Sequence, residues 1–193
     1  MEWEDMPAEK QQIMCSRSFG RPVLALQDLE QAVSTFTSRA AEKLRAQDGV
    51  TTSILVFIRT SYFRDDPQYS GGTVVRLLIP TDDTASLVQA ALQGLQKIYR
   101  KGFKYAKAGI CLLDLSSQQQ ACAQGSLFST PMLNTSDKPA LMSVLDGINQ
   151  RYGRSTIAAA SSFAPVGAVW KMKQERMTPA YTTDWSQIVD VWK

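Results

Sequence analysis

Residues 51–60 read Thr-Thr-Ser-Ile-Leu-Val-Phe-Ile-Arg-Thr, a run of β-branched and aromatic side chains that predicts a β-strand. A second run of this kind follows at residues 73–79, after a polar segment at 64–72 that contains proline and glycine. Such a segment is typical of the connection between neighbouring strands. The middle of the chain therefore predicts two consecutive strands.

An amphipathic helix is predicted on each side of this pair of strands. Residues 26–45 place apolar side chains on one helix face, at Leu29, Val33, Phe36, Ala40 and Leu44. After the strands, the Pro-Thr-Asp-Asp segment at 80–83 supplies N-cap residues, and a second face follows at Val88, Ala91, Leu95 and Ile98. Asp48-Gly49 ends the first helix, and the Arg-Lys-Gly segment at 100–102 ends the second.

Two further strands are predicted outside these helices, at residues 13–20 and 105–115. The order is then β-α-β-β-α-β, which folds most simply as a four-stranded antiparallel sheet with both helices on one face. The predicted fold class is α+β, with a domain at residues 13–116 after an acidic linker at 1–12. The second face of the sheet is left open.

Composition limits the chemistry of this chain. It has 193 residues, a net charge of +3 and no histidine, which removes the commonest general base and every Ser-His or Cys-His catalytic pair. Residues 13–116 carry 13 Lys and Arg against 9 Asp and Glu, a net charge of +4 that permits a polyanionic partner. No apolar run approaches the ~20 residues of a membrane span. The separated Cys15, Cys111 and Cys122 predict reduced thiols in a cytoplasm.

Basic and hydroxyl side chains gather near the ends of the predicted strands and form the candidate DNA-binding site. Its basic members are Arg17, Arg59, Lys104 and Lys107, and its hydroxyl members are Ser16, Ser18, Thr60 and Ser61. Both types suit phosphate oxygens, in contacts that position a nucleic acid without reading its sequence. The alternative is a solvated sheet edge with ordinary surface charges, and the residue types do not separate the two.

Two other patterns have a chemical and a structural interpretation. The acidic pairs Asp65-Asp66 and Asp82-Asp83 could hold a divalent cation, but a polar loop and a helix N-terminus explain them, so no metal site and no catalytic residue is predicted. Residues 101–106, Lys-Gly-Phe-Lys-Tyr-Ala, approach the signature of RNA-recognition modules. Residues 101–106 follow the second helix, whereas those modules carry the signature before it. The favoured interpretation is therefore that these residues end the helix and lead into the next strand.

Residues 117–135 are rich in Ser, Gln and Ala and predict a linker, and residues 136–193 predict a small mixed extension. The linker holds Gln124-Gly125-Ser126-Leu127-Phe128, which resembles the peptide by which bacterial polymerases dock on the sliding clamp. In that peptide Gln124 and Ser126 would lie beside the apolar pair Leu127 and Phe128; the alternative is that the pair tucks back onto the domain. The extension predicts a helix with an apolar face at Leu141, Val144, Leu145, Ile148 and Tyr152, then a short hairpin and irregular packing.

Seven ordered motifs together resemble the C-terminal part of the UmuC-type Y-family DNA polymerases, the family of the catalytic subunit of bacterial polymerase V. They are Cys-Ser-Arg-Ser-Phe-Gly at 15–20, Arg-Ala-Ala-Glu-Lys-Leu-Arg at 39–45, Phe-Ile-Arg-Thr-Ser at 57–61, Leu-Ile-Pro-Thr at 78–81, Tyr-Ala-Lys-Ala-Gly at 105–109, Val-Leu-Asp-Gly-Ile-Asn at 144–149 and Thr-Pro-Ala-Tyr-Thr-Thr at 178–183. The resemblance covers nearly the whole chain.

The resemblance implies a little-finger domain whose open sheet grips the DNA backbone, followed by the clamp-binding peptide at 124–128 and a UmuC-type extension at 136–193. It also implies a role in error-prone translesion synthesis, SOS mutagenesis and DNA repair. The expected partners are DNA, the sliding clamp, a UmuD-type accessory subunit and RecA. Magnesium and catalysis are expected in a palm domain that this chain lacks, so the chain alone is predicted to be inactive. The alternative function is a freestanding ferredoxin-like module that binds RNA or protein.

Overall fold

The computed structural model describes residues 10–118, 138–163, 167–173, 178–179 and 182–187. Its elements in chain order are β1 (Ile13–Val23), α1 (Leu26–Arg45), β2 (Gly49–Thr60), β3 (Ser70–Thr81), α2 (Thr84–Ile98), β4 (Tyr105–Ser117) and α3 (Lys138–Tyr152). Two 3-10 turns follow at Ala160–Ser162 and Trp185–Gln187. The predicted order of strands and helices is confirmed, and each strand is longer than its predicted run.

The four strands form one antiparallel sheet in the order β1-β4-β2-β3. In its centre, Ile54 of β2 pairs with Leu112 of β4, and Val56 pairs with Ile110. These four side chains are fully buried. The predicted α+β class with a four-stranded antiparallel sheet is confirmed.

The hydrophobic core lies between the sheet and the two helices α1 and α2, which pack on the same face. Helix α1 contributes Leu29, Val33, Phe36, Ala40 and Leu44, as its apolar spacing predicts, and helix α2 contributes Leu87, Ala91, Leu95 and Ile98. Asp83 is the N-cap of α2, and its carboxylate accepts a hydrogen bond from the Ser86 backbone N–H at 2.9 Å. It ends at Ile98, before the predicted residues 100–102.

The opposite face of the sheet carries the alternate residues of each strand, because successive strand side chains point to opposite faces. Its centre contains Gly109 of β4, paired with Phe57 of β2 and with Ser16 of β1. The Phe57 ring lies across this glycine: a Cβ atom built on Gly109 would come within 2.5 Å of Phe57 Cζ. Neither α1, α2 nor α3 lies on this open face.

Helix α3 lies against the C-terminal end of α1. Met142 of α3 is buried, and the Asp146 carboxylate binds the Arg45 guanidinium in a two-pronged ion pair of 2.6 and 2.8 Å. Leu141, Val144 and Tyr152, which belong to the predicted apolar face, are exposed instead. The predicted hairpin is wrong for the described residues after Tyr152, where the regular elements are the two 3-10 turns.

The two described cysteines lie on neighbouring strands. Cys15 of β1 pairs with Ile110 of β4, and Cys111 of β4 pairs with Met14 of β1. Both are free thiols, and burial raises the pKa of the Cys111 thiol. Cys122 lies outside the described residues. Among the helices of the described ranges, none combines the length and the apolar character that crossing a membrane requires.

Candidate nucleic-acid interface

Four residues from the four strands line up across the open face and define what we call the basic row. Ser18 of β1 pairs with Lys107 of β4, Lys107 pairs with Arg59 of β2, and Arg59 pairs with Ser70 of β3. Neighbouring strands lie ~4.8 Å apart, so the row is ~14 Å long. Ser18 and Ser70 are exposed at its ends, and Lys107 and Arg59 are half-buried at its centre. The row therefore presents two cations between two hydroxyl groups.

The juxtaposition of Arg59 and Lys107 is unfavourable in the protein alone, because like charges directly opposite each other on two strands repel. The Arg59 guanidinium lies 5.9 Å from the centre of the Tyr62 ring, at the edge of useful cation–π range, which offsets little of this repulsion. The row and the neighbouring Ser16, Gly109, Phe57 and Gly72 contain no carboxylate. An anion bound between Arg59 and Lys107 would relieve the repulsion.

Few side chains project from the surface beside the basic row. Gly109 and Gly72 lie on either side of Phe57 in the adjacent row of paired residues, and Gly109 has no room for a side chain. The Phe57 ring therefore fills the space that a side chain at Gly109 would occupy, and Gly72 adds no side chain on its other side. A broad, rigid object such as the backbone of a double helix can approach the basic row across this surface.

The structure brings some of the predicted DNA-binding residues together and places the others elsewhere. Ser16, Ser18, Arg59 and Lys107 lie together on the open face. Ser61 begins the loop after β2 and accepts a hydrogen bond from the Phe63 backbone N–H at 3.4 Å. Lys104 precedes β4 and is ion-paired with Asp66 at 2.7 Å, half-exposed at the same end of the sheet.

Arg17 and Thr60 do not join this group. Arg17 pairs with the buried Ala108, so its side chain leaves β1 on the helical side. There it contacts the Met172 sulfur at 3.5 Å and lines a cleft of about 890 Å³. Thr60 is buried, and its hydroxyl donates to the Gln68 side-chain oxygen at 2.9 Å, which orders the connection between β2 and β3.

Sequence reasoning missed Ser70 and Phe57 as members of this surface. Ser70 stands outside the apolar run that predicts β3, and Phe57 reads as an ordinary strand aromatic. The alternation of side chains along residues 51–60 places Phe57 and Arg59 on one face, and this signal could have found Phe57. The pairing of Arg59 with Ser70 depends on register, which a single strand does not encode.

The residues 101–106 are not a stacking surface. Gly102 adopts a φ of 98° after α2, and Tyr105 is buried, with its hydroxyl donating to the Arg100 carbonyl at 2.8 Å. Phe103 packs against Tyr69 with ring centres 5.0 Å apart. Burial raises the pKa of Tyr105. This arrangement agrees with a helix end followed by a strand entry.

The two acidic pairs have structural partners. Asp83 caps α2, and the Asp82 carbonyl accepts a hydrogen bond from Arg45 at 2.8 Å. Asp66 binds Lys104, and Asp65 is exposed in the loop. Within the ranges that the structure describes, no three or more Cys, Asp or Glu side chains are grouped to hold a metal ion. The predicted clamp-binding residues Gln124, Ser126, Leu127 and Phe128 lie outside those ranges.

Two family models match this chain in succession. The impB/mucB/samB family C-terminal domain matches residues 10–127, and a domain of unknown function (DUF4113) matches residues 139–191. The first contains the open sheet, and the second begins in α3.

Similar curated proteins match nearly the whole chain. Protein MucB of Salmonella typhimurium is 41% identical over 186 residues, which cover 96% of this chain and 42% of MucB. Protein UmuC of Salmonella typhimurium strain LT2 is 38% identical over 194 residues, which cover 99% of this chain and 44% of UmuC. Protein SamB of Salmonella typhimurium is 40% identical over 186 residues. The chain thus spans less than half the length of these relatives.

Proposed function

The chain belongs to the impB/mucB/samB C-terminal domain family, that of the UmuC-type Y-family polymerases, and from this premise we propose that it grips DNA and docks on the sliding clamp for a translesion polymerase. In this proposal the little finger is the sheet and helices of residues 13–117. The full polymerase would act in error-prone synthesis past damaged DNA during SOS mutagenesis, in the cytoplasm. A UmuD-type accessory subunit and RecA are expected partners of that polymerase.

The observation that carries the DNA-binding proposal is the basic row. Arg59 and Lys107 face each other on an open sheet with hydroxyl groups at both ends, and the surface beside them is flattened by Phe57. Cations and hydroxyls are the side chains that hold phosphate oxygens. A duplex laid along the open face would place backbone phosphates on this row, and phosphate contacts read no sequence.

The proposal assigns no nucleotidyl transfer to this chain. Full-length relatives are more than twice as long, and magnesium-dependent catalysis is expected in their remaining part. Each of the two acidic pairs has a member with a structural partner: Asp83 caps α2, and Asp66 forms an ion pair with Lys104. Their positions fit a binding region that is attached to a catalytic region.

The clamp-docking part of the proposal rests on the sequence Gln124-Gly125-Ser126-Leu127-Phe128. Burial of two large apolar side chains can supply ~1.5 to 3 kcal/mol each, while a glutamine amide fixes orientation by hydrogen bonds. The peptide follows β4, the last strand of the little finger, by a few residues. It would therefore tether the DNA-binding domain close to the clamp.

Fluorescence anisotropy with two labelled duplexes of unrelated sequence tests the DNA-binding proposal. We expect similar affinities for both duplexes and a log-log salt slope of about −0.9 per phosphate neutralised. The double substitution Arg59→Gln and Lys107→Gln should weaken both complexes alike. Its control, Lys97→Gln with Arg151→Gln, removes two exposed charges away from the open face and should change little. Strong preference for one duplex, or binding independent of salt, would contradict the proposal.

A further inference from the structure

The residues after α3 return to the little finger and lie along its outer strand, β1. The Gly20 backbone N–H donates a hydrogen bond to the Lys171 carbonyl at 3.1 Å. The adjacent Trp170 is buried against α1, with its ring centre 5.7 Å from that of Phe36 in an edge-on arrangement and its indole N–H donating to the Gln31 side chain at 2.8 Å. Backbone and side-chain contacts therefore fix residues 170–171 beside β1.

Gly20 allows this close approach because it has no side chain. A Cβ atom built at Gly20 would come within 2.6 Å of the Lys173 backbone nitrogen and within 2.7 Å of the Lys171 carbonyl oxygen. Contacts this short require the neighbouring backbone to move. The segment of residues 171–173, which we call the edge segment, is therefore seated in a space that only glycine leaves open.

The edge segment lies at the end of the sheet that carries the basic row. Gly20 follows Ser18, the outermost member of the row, by two residues. A backbone that hydrogen-bonds to β1 lies ~5 Å beyond it, which is one strand spacing outside the row. Lys171 and Lys173 are both exposed there, and the Met172 sulfur is held by Arg17.

We propose that Lys171 and Lys173 contact backbone phosphates of the same duplex that the open face binds, so that the C-terminal extension is part of the DNA-binding surface. This inference rests on the proposed function of the little finger. The extension matches a family described only as a domain of unknown function, and the geometry gives it a role. Its two cations continue the line of cations and hydroxyls past β1.

The double substitution Lys171→Gln and Lys173→Gln tests this inference in the full chain, with anisotropy of a labelled duplex measured at several salt concentrations. Each lost phosphate contact lowers the magnitude of the log-log salt slope by about 0.9, so two lost contacts lower it by about 1.8. The matched control Lys97→Gln with Arg151→Gln makes the same change in net charge on the helical side. We expect the control to keep the wild-type slope.

The substitution Gly20→Val provides a second, independent test, because it displaces the edge segment while both lysines remain in the chain. We expect Gly20→Val to lower the magnitude of the salt slope as the double lysine substitution does. A melting curve of this variant tests whether the sheet is still folded. If Gly20→Val does not fold, the lysine variant alone decides.

The outcomes separate this inference from the proposed function. If the lysine variant keeps the wild-type slope while Arg59→Gln with Lys107→Gln loses affinity, the inference is wrong and the proposed function stands. An equal loss in the lysine variant and in its control also overturns the inference, because net charge would then explain it. If the wild-type chain binds no duplex, both fail.

Discussion

Replacing Trp170 with alanine should release the C-terminal extension from the sheet domain of residues 13–117 without unfolding the sheet. Trp170 is 4% exposed, whereas most side chains of residues 153–173 that the structure describes are exposed. It is also part of the main hydrophobic core, against which the neighbouring Ala168 packs. We expect the core residues of β2 and β4 to keep their packing, because they lie against α1 and α2.

The size of the effect follows from the contacts that Trp170 makes. Removal of a buried tryptophan costs about 3 to 5 kcal/mol. Within this total, the edge-on contact with Phe36 contributes about 0.5 to 1.5 kcal/mol. The hydrogen bond to Gln31 contributes about 1 kcal/mol. Trp170→Phe keeps most of the ring burial and loses the hydrogen bond, so it should lose only part of the total.

Hydrogen exchange of the Gly20 amide measures this release directly, because its acceptor is the Lys171 carbonyl. At 1.4 kcal/mol per factor of ten, a docking free energy lower by 3 kcal/mol or more accelerates exchange by about 10²-fold or more. Trp185→Ala is the matched control, since Trp185 is 90% exposed. Unchanged exchange at Gly20 in Trp170→Ala, or equal changes in both variants, would refute the reasoning.

Three further predictions concern other parts of the chain. Asp146→Ala should lower the free energy of unfolding by about 3 kcal/mol in urea titrations, because it leaves the largely buried Arg45 guanidinium without its carboxylate partner. An effect no larger than that of the exposed Asp65→Ala would contradict this. Because burial raises the pKa of Tyr105, the wild type should lose stability above pH ~10, where an unfolded tyrosine ionises, more steeply than Tyr105→Phe does; parallel stability curves would exclude it. Leu127→Ala with Phe128→Ala should abolish calorimetric binding to the sliding clamp and keep the melting temperature, while Gly125→Ala keeps clamp binding; a lower melting temperature instead would favour packing of the pair on the domain.

The fold could be predicted because its signals are local. Helix α1 is bounded at residues 26 and 45 by its apolar period and by Asp48-Gly49, and strand β2 is apparent from its β-branched residues. The helix cap at Asp83 was also visible from residue type. Each of these features depends on neighbours within a few positions.

The candidate site could be predicted only in part, because strand register decides which side chains meet. Alternation explains why Ser16 and Ser18 share the open face while Arg17 points to the helical side, although the three are adjacent in sequence. The meeting of Arg59 with Lys107 depends on the pairing of two strands that are separated by more than forty positions. Charge and proximity to a strand end did not carry this information.

The extension was harder still to predict. Contact of Trp170 with Phe36 and of Lys171 with Gly20 joins residues more than a hundred positions apart. In helix α3, the apolar period predicted a packed face of Leu141, Val144, Leu145, Ile148 and Tyr152. Leu145 and Ile148 are half-buried, but the other three are exposed, while Met142 is buried and Asp146 binds Arg45. A charged residue supplies part of that interface, so the hydrophobic pattern located it only in part.

Photo-cross-linking tests most directly the central claim that the open face of the sheet lies on DNA. A photoreactive amino acid is placed at Ser18 or Ser70, the exposed ends of the basic row, and at Gln93 on the exposed side of α2 as the control. With a duplex bound and illuminated, we expect cross-links from positions 18 and 70 and none from position 93, at salt concentrations where the complex forms. Cross-links from position 93 with none from 18 and 70 would place the DNA on the helical side and contradict the account.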